Sequence, residues 1–218
     1  MPYSRSKALF GSLHECHLAH LGATTTTRSN KLSESSVSVT VTRDPSMYVK
    51  YIIATTRLQL LARLDALIPP DLRFGTLDEH HLQTALDRSA IPRTIETMRE
   101  MPSVGIFTTG QHESEKEDEL VAWGFVSRDG SIASLHTEPG WRRRGLASVV
   151  AKRLMQLASK RYVNDDDGED GEGGWTVYAH ADVGEDNGGS KKVMEKIGGR
   201  VGWRVSWVEV DVGGKKEM

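Results

Sequence analysis

The fold is decided by residues 142–147, which read Arg-Arg-Arg-Gly-Leu-Ala. An apolar run of strand length, residues 132–135, precedes this stretch, and the apolar spacing of residues 146–157 predicts a helix after it. A strand, a short turn with glycine and a helix start form an anion-binding site, because backbone N–H groups converge there and the helix dipole adds positive charge. Three arginines beside a helix start oppose that dipole unless an anion compensates, so the stretch favours a negatively charged ligand.

The composition predicts one globular domain with extensions, or at most two small domains, from 218 residues of which 38% are hydrophobic and 27% charged. The formal net charge is −2, whereas a nucleic-acid-binding protein usually has an excess of basic residues, so we expect no nucleic-acid partner. The single cysteine, Cys16, excludes an internal disulfide and favours a reducing compartment, so we expect a cytoplasmic protein. No apolar stretch approaches the roughly 20 residues that cross a bilayer, so we expect no membrane span.

The first 40 residues predict a disordered tail, because they are rich in Ser, Thr and His. Acidic residues are nearly absent from most of this segment, which is also typical of a mitochondrial transit segment, so a mitochondrial location is the alternative. Four potential metal ligands follow no zinc spacing, and no second ligand pair comes after them, so we predict no metal site. These residues are His14, Cys16, His17 and His20.

Residues 41–70 predict a helical extension ahead of the main domain. Leucine and isoleucine recur there at steps of three and four residues, which predicts a helix over 48–67, and Pro69-Pro70 ends it. Two further amphipathic helices are predicted over 77–88 and 92–101.

The hydrophobic period changes at residue 103, and the rest of the chain alternates between strands and helices. The order β-β-β-α-β-α-β predicts an α/β domain over residues 71–218, with a mixed, mostly antiparallel sheet and helices on both faces. Charged, turn-like segments over 110–119 and 164–174 read as loops. The predicted strands cover 103–108, 120–127, 131–137, 175–183 and 200–212, and the predicted helices cover 143–162 and 187–197.

Four motifs carry a resemblance to a known family. Residues 102–106 read Pro-Ser-Val-Gly-Ile, and residues 135–147 read Leu-His-Thr-Glu-Pro-Gly-Trp-Arg-Arg-Arg-Gly-Leu-Ala. Residues 180–183 read His-Ala-Asp-Val, and Asn187-Gly-Gly-Ser190 is followed by Glu-Lys-Ile-Gly at 195–198. Together they resemble the GNAT N-acyltransferases, closest to the FR47-like branch that includes the glycine N-acyltransferase-like proteins. The resemblance covers about two-thirds of the chain.

The resemblance implies a GNAT-type fold and an enzyme that moves an acyl group from acetyl-CoA, or another acyl-CoA, to an amine of a small molecule or amino acid. It implies no metal and no nucleic-acid partner, and it leaves the oligomeric state unassigned. In the family, the fourth strand pairs with the pantetheine amides, the loop after it binds the pyrophosphate, and a later helix closes over the pantetheine arm. The positions implied for these contacts are Leu135, His136, Thr137, Arg142, Arg143, Arg144, Gly145, Leu146, Ala147, Ser148, Asn187 and Ser190.

The chain departs from the family at its usual catalytic positions. Ser131 stands where many members have a glutamate base, Met194 where a tyrosine often protonates the leaving thiolate, and Gly199 where a phenylalanine is usual. Deprotonation of an ammonium needs a base, and the candidates are His136, Glu138 and His180. Each also has a structural interpretation, as a packed histidine or as an acid paired with arginine. The alternative function is therefore a CoA-binding protein of the same fold with weak or no catalysis.

Overall fold

The structure is a computed structural model that describes residues 7–17, 40–41, 46–56, 62–89, 91, 93–109, 118–159 and 176–211. The chain divides into two compact units. The first unit comprises Met1–Tyr51, Asp182–Gly188 and Val201–Met218, and the second comprises Ile52–Ala181 and Gly189–Arg200. No helix in the part of the chain that the structure describes is long and apolar enough to cross a membrane.

The second unit contains an antiparallel sheet of four strands in the order β4-β5-β6-β7. Three of the strands were predicted from their apolar runs, and the short β4 was not. Strand β6 is buried along its whole length, because helices cover both faces of the sheet. The strands are β4 (Leu72–Gly75), β5 (Ser103–Thr108), β6 (Leu120–Val126) and β7 (Ile132–Thr137).

Two helices pack on one face of this sheet. Helix α1 (Glu79–Asp87) begins at Asp78, whose carboxylate accepts the His81 amide, and α2 (Ile95–Arg99) begins at Thr94, whose hydroxyl accepts the Thr97 amide. Both helices confirm predictions, with shorter bounds. Their buried residues form one apolar cluster with the strands, consisting of Leu82, Ala85, Met98, Met101, Phe107, Leu120, Trp123 and Phe125.

The opposite face carries α3 (Leu146–Ser159), the helix predicted after the arginine stretch. Neighbouring residues of a strand point to opposite faces, so Trp123 faces α1 and α2 while Gly124 faces α3. A Cβ on Gly124 would lie 2.8 Å from Leu154 Cδ1, so any larger residue would require Leu154 to move. An α/β fold with helices on both faces of an antiparallel sheet is therefore confirmed.

A second sheet has the strand order β1-β9-β3-β8, and β2 also pairs with β9. Helix α4 (Gly188–Lys196) connects β8 to β9, as predicted. Strand β1 pairs antiparallel with β9, from Lys7 opposite Asp211 to His14 opposite Val205. The strands are β1 (Lys7–His14), β2 (Thr40–Val41), β3 (Ser46–Thr56), β8 (Thr176–Gly184) and β9 (Gly199–Asp211).

Two predictions for the first 70 residues, the disordered tail and the helical extension, are wrong where the structure describes these residues. Residues 46–56 form β3 and not the predicted helical extension, because tyrosine, isoleucine, valine and threonine dominate this segment and favour a pleated strand. Leu64, which the prediction placed in the same helix, lies after the end of β3 and precedes a single 3₁₀ turn, Asp65–Leu67. Residues 7–14 form β1 and not a disordered tail, because β9 offers them a backbone partner. The predictions for 18–39, 110–117 and 164–174 lie outside the described residues.

A buried ion pair lies inside the first unit. Lys50 Nζ lies 2.6 Å from Asp182 Oδ1, and both side chains are less than one-tenth exposed. Ser12 Oγ, from β1, donates to Asp182 Oδ2 at 2.7 Å. The N-terminal strand therefore contributes a hydrogen bond to this network as well as backbone pairing.

Substitution of Lys50 alone by methionine should destabilise the protein strongly, because the Asp182 carboxylate would stay buried without its cation. We expect a loss of about 3–5 kcal/mol in the free energy of unfolding, measured by urea denaturation. The double variant Lys50→Met/Asp182→Leu should recover most of that loss, because no unpaired charge remains. Equal losses in the single and double variants would contradict this account.

Candidate functional site

Strand β7 forms the end of its sheet, so its outer edge has no strand partner among the described residues. Ser134 has a φ of 48°, in the left-handed region, and the register with β6 shifts between Trp123 and Phe125. This is a bulge, which turns the strand and its side chains locally. The unpaired backbone edge and the bulge together offer an extended ligand a place to pair.

Three side-chain atoms on β7 are buried without a hydrogen-bond partner in the part of the chain that is described. They are Ser134 Oγ, His136 Nε2 and Thr137 Oγ1. A buried polar atom without a partner costs free energy, and such atoms are rare in folded proteins. Their concentration on one edge strand makes β7 the candidate strand for a ligand.

The turn between β7 and α3 has the backbone of an anion site. Arg143 and Gly145 have φ values of 63° and 84°, and the helix begins at Leu146. The first amides of a helix have no acceptor within it and therefore point outward. The Ser148 amide, one of the predicted phosphate donors, instead donates to the Gly145 carbonyl at 3.0 Å. The candidate donors to an anion are accordingly the amides before it, from Arg143 to Ala147.

The three arginines of the turn differ in what they contact. Arg142 Nε donates to the Thr137 carbonyl at 3.0 Å, which braces the end of β7. The Arg144 guanidinium stacks over the Trp141 ring at 4.6 Å. Arg143 is exposed and has the left-handed backbone of the turn itself. Two of the three predicted anion contacts thus also hold the turn in shape.

Lys196 is a cation of this site that the sequence prediction did not include. A Cβ placed on Gly145 would lie 3.8 Å from Lys196 Nζ, so the end of α4 brings an ammonium group to the turn. The sequence signal was present, because Lys196 belongs to the quoted motif at 195–198. Nothing in the sequence indicated that its side chain meets Gly145.

His136 and Glu138, two of the three candidate bases, lie together at the end of β7. The His136 ring stacks on Trp123, with centroids 4.4 Å apart, and its Nε2 lies 3.9 Å from Glu138 Oε2. Glu138 in turn accepts Arg88 Nε at 3.1 Å. Burial lowers the pKa of His136 below its ordinary value, Glu138 opposes this, and Arg142 and Arg88 add to the lowering. The lowered pKa favours the neutral ring of His136, the form that can accept a proton.

His180 is not brought beside the other two candidates. Its Nε2 lies 3.2 Å from the Asp129 carbonyl oxygen, in the turn before β7, whereas His136 is near the other end of that strand. A histidine held by this contact has one ring nitrogen already engaged.

The usual catalytic positions of the family have structural roles here. Ser131 Oγ donates to Asp129 Oδ1 at 2.7 Å, and Met194 is only 2% exposed in the core. A Cβ on Gly199 would lie 2.7 Å from the Met194 carbonyl oxygen, which explains why no larger residue stands there.

Asn187 and Ser190, predicted to lie over the pantetheine arm, are at the start of α4. Asn187 immediately precedes the helix, and its amide donates to the Gly184 carbonyl at 2.9 Å. Asn187 belongs to the first unit and Ser190 to the second. Asn187 also lines an open depression of about 660 Å³ in the first unit, together with Tyr48 and Glu185.

Comparison with known proteins agrees with this architecture. A family model described as FR47-like protein matches residues 103–164, from β5 through α3. No curated protein matches the chain. A solved Drosophila protein is similar to it with a TM-score of 0.65 and 15% identity, over 95% of this chain and 61% of that one.

Two bacterial structures are also similar. One, described as a GNAT-family acetyltransferase from Novosphingobium aromaticivorans, has a TM-score of 0.52 and 13% identity over 81% of this chain and 68% of that one. The other, a GCN5-related N-acetyltransferase from Sphaerobacter thermophilus, has a TM-score of 0.51 and 15% identity over 97% of this chain and 62% of that one. The chain thus has the GNAT fold and spans about three-fifths to two-thirds of the length of these proteins.

The pKa of the His136 ring should respond to its two charged neighbours in opposite directions. In the wild type it should lie below about 6.5, the ordinary histidine value. Glu138→Gln should lower it further, because the carboxylate favours the protonated ring, and Arg88→Gln should raise it, because a repelling cation is removed. The measurement is an NMR titration of the ring carbons. Arg99→Gln, which removes an exposed arginine paired with Glu79, is the control and should leave the value unchanged.

Proposed function

We propose that this protein is an acyl-CoA-dependent N-acyltransferase of the FR47-like branch, similar to the glycine N-acyltransferase-like proteins. The acceptor is an amine of a small molecule or amino acid, and acetyl-CoA is the simplest donor. One observation carries the proposal: a strand with an unpaired, bulged edge runs directly into a turn of left-handed residues at a helix start. The edge suits the amides of a pantetheine arm, and the turn suits its pyrophosphate.

The charges around the turn support an anionic ligand. Outward amides, Arg143 and Lys196 supply positive potential there, and Arg142 holds the end of β7 against the turn. The Ser134 and Thr137 hydroxyls on the same strand are buried without a hydrogen-bond partner among the described residues, which favours a strand that a ligand completes.

In the proposed reaction, the amine nitrogen attacks the thioester carbonyl, the new C–N bond forms and the C–S bond breaks. The products are the amide and the free thiol of CoA, so the proton lost from nitrogen balances the one gained by sulfur. His136 accepts the nitrogen's proton, because its lowered pKa favours the neutral ring and its Nε2 has no hydrogen-bond partner among the described residues. Glu138, held by Arg88, stabilises the protonated ring.

The leaving thiolate does not need a side chain that donates a proton to it. A thiol with a pKa of about 8.5 leaves acceptably near pH 7–8 without a strong acid. The loss of the tyrosine at Met194 therefore slows the reaction in this proposal and does not forbid it. Because Ser131 and Met194 have structural roles, a CoA-binding protein with little catalysis is the competing function.

Gly145→Glu should abolish CoA binding, because it puts a carboxylate and a strained side chain at the phosphate turn. Calorimetry with acetyl-CoA measures the affinity, and circular dichroism checks the fold. Gly140→Glu is the matched control, since it adds the same side chain where nothing lies within 4 Å of the new Cβ. Unchanged affinity in Gly145→Glu would remove the basis of the proposed function.

The pH dependence of kcat/KM should show a rising limb below about pH 6.5, because the base is a histidine with a lowered pKa. His136→Ala should lower the rate about 10²-fold and remove the limb, whereas His180→Ala should keep near-full rate. Two acceptors with different amine pKa values separate this limb from ionisation of the substrate.

The acceptor for that experiment comes from a screen of amines with acetyl-CoA that detects release of free thiol. A protein that binds acetyl-CoA but releases no thiol with any amine would favour the non-catalytic function. Full activity in His136→Ala would exclude His136 as the base.

A further inference from the structure

The first half of β9 contains a segment that is exposed on both faces of the strand. Residues 200–204 are all exposed, whereas residues 205–210 of the same strand are mostly buried. Val201 is 61% exposed and Trp203 is 43% exposed, and they are two of the five large hydrophobic residues that are exposed in the described part of the chain. They lie two positions apart and so share one face of the strand. Exposed apolar side chains that lie together favour a surface for association.

One backbone edge of this segment has no strand partner among the described residues. Strand β9 lies between β1 and β3 in its sheet, and β1 pairs only with residues 205–211, ending at His14 opposite Val205. After His14 the chain leaves the strand for a short 3₁₀ turn, residues 15–17. The edge of residues 200–204 on the β1 side therefore presents backbone groups that another strand can pair with.

The charges of the segment do not protect this edge as those of many edge strands do. It contains no lysine and no proline, the residues that most often prevent pairing. The Arg204 guanidinium lies 2.7 Å from Glu185 Oε1 and 3.4 Å from Glu15 Oε2. One positive and two negative groups leave this cluster with an excess of one negative charge. Arg200, by contrast, is exposed and has no acidic partner within the described ranges.

Two copies of the segment are complementary when they pair antiparallel about a two-fold axis at Gly202. Gly202 then lies opposite itself, and Val201 lies opposite Trp203 of the second copy, which forms two valine–tryptophan pairs on one face. On the other face, Arg200 lies opposite Arg204 of the second copy and meets the negative cluster around it. This register ends where β1 begins to pair with β9. Each contact occurs twice, as an interface between identical chains requires.

We propose that this protein forms a two-fold symmetric dimer through residues 200–204 of β9, which pair antiparallel with the same segment of a second copy. The pairing joins the β9 strands of the two copies into one continuous sheet. Five residues from each chain make a small interface, so the dimer is reversible, with a Kd in the micromolar range. The inference goes beyond the proposed function, because it uses no residue of β7 or of the turn that follows it.

Sedimentation velocity of the full chain tests the dimer without any knowledge of the substrates. Between about 1 and 200 µM, the average mass should rise from that of the monomer toward twice that value, by mass action. A monomer over the whole range would overturn the inference and would leave the segment for a different partner. The outcome is independent of acetyl-CoA binding, so the proposed function stands or falls separately.

Val201→Glu should weaken the dimer at least about tenfold, because it places a carboxylate beside each opposing tryptophan ring. The control is Leu67→Glu, which introduces the same side chain at another apolar residue, 54% exposed and outside β9. It should sediment as the wild type does, and circular dichroism checks the fold of both variants. Undiminished dimer formation by a folded Val201→Glu variant, or an equal loss in the control, would contradict the proposed interface.

Cysteine cross-linking tests the register, in a Cys16→Ser background because Cys16 is exposed. Gly202→Cys should form a disulfide-linked dimer under mild oxidation, since the two copies of residue 202 lie about 5 Å apart. Arg200→Cys is the matched control, because its two copies lie four residues apart along the strands, or roughly 14 Å, beyond disulfide reach. No cross-link with Gly202→Cys where the dimer forms, or equal cross-linking of both variants, would overturn the proposed pairing.

Discussion

The close packing of α3 on the sheet at Gly124 is the contact on which the rest of the site depends. Leu154 and Leu135 approach Gly124 so closely that any side chain there would displace them. A helix is stiff over its 14 residues, so fixing its middle also fixes both ends. The N-terminal end of the helix follows the turn after β7, which is the candidate anion site. The position of that turn is thus set by a packing contact in the core, well away from the turn's charged side chains.

The unpaired edge of β7 is the second constraint, and it is a costly one. Edge strands present unused amides and carbonyls, which invite pairing with other chains. Here the Ser134 bulge interrupts the edge, and Arg142 occupies the Thr137 carbonyl at its end. The buried hydroxyls and the histidine nitrogen beside it remain without partners in the described part of the chain. A ligand that satisfied them would recover free energy that the folded protein alone does not, which is a physical reason for the strand to bind one.

Local sequence patterns correctly predicted the strands and helices that pack against their neighbours in the chain. The same patterns failed for strands whose pairing partners are far away in the sequence. Strands β5 to β7 and helix α3 are consecutive, and their apolar runs and helical spacing indicate them directly. Strand β1 pairs with β9 almost 200 residues later, and β3 lies between β8 and β9. Such pairing depends on a partner that the local sequence does not reveal. The spacing of the leucines between residues 58 and 68 suggested a helix that extended back to residue 48. Residues 46–56 form a strand instead, because β-branched residues and tyrosines dominate them.

The site shows the same limit at the level of side chains. The turn was predictable because glycine, the arginines and the helix start are contiguous, and backbone geometry follows from them. The contacts of the arginine side chains were not predictable from the sequence. Arg142 donates to a backbone carbonyl, Arg144 stacks on Trp141, and Lys196 extends from α4 to the turn. The chemistry of His136 likewise depends on Trp123 beneath it and on Arg88 behind Glu138, contacts from two other elements. Burial lowers the pKa of the ring, and the adjacent carboxylate opposes that lowering. This balance is set by side chains that are distant in the sequence, so only the tertiary structure reveals it.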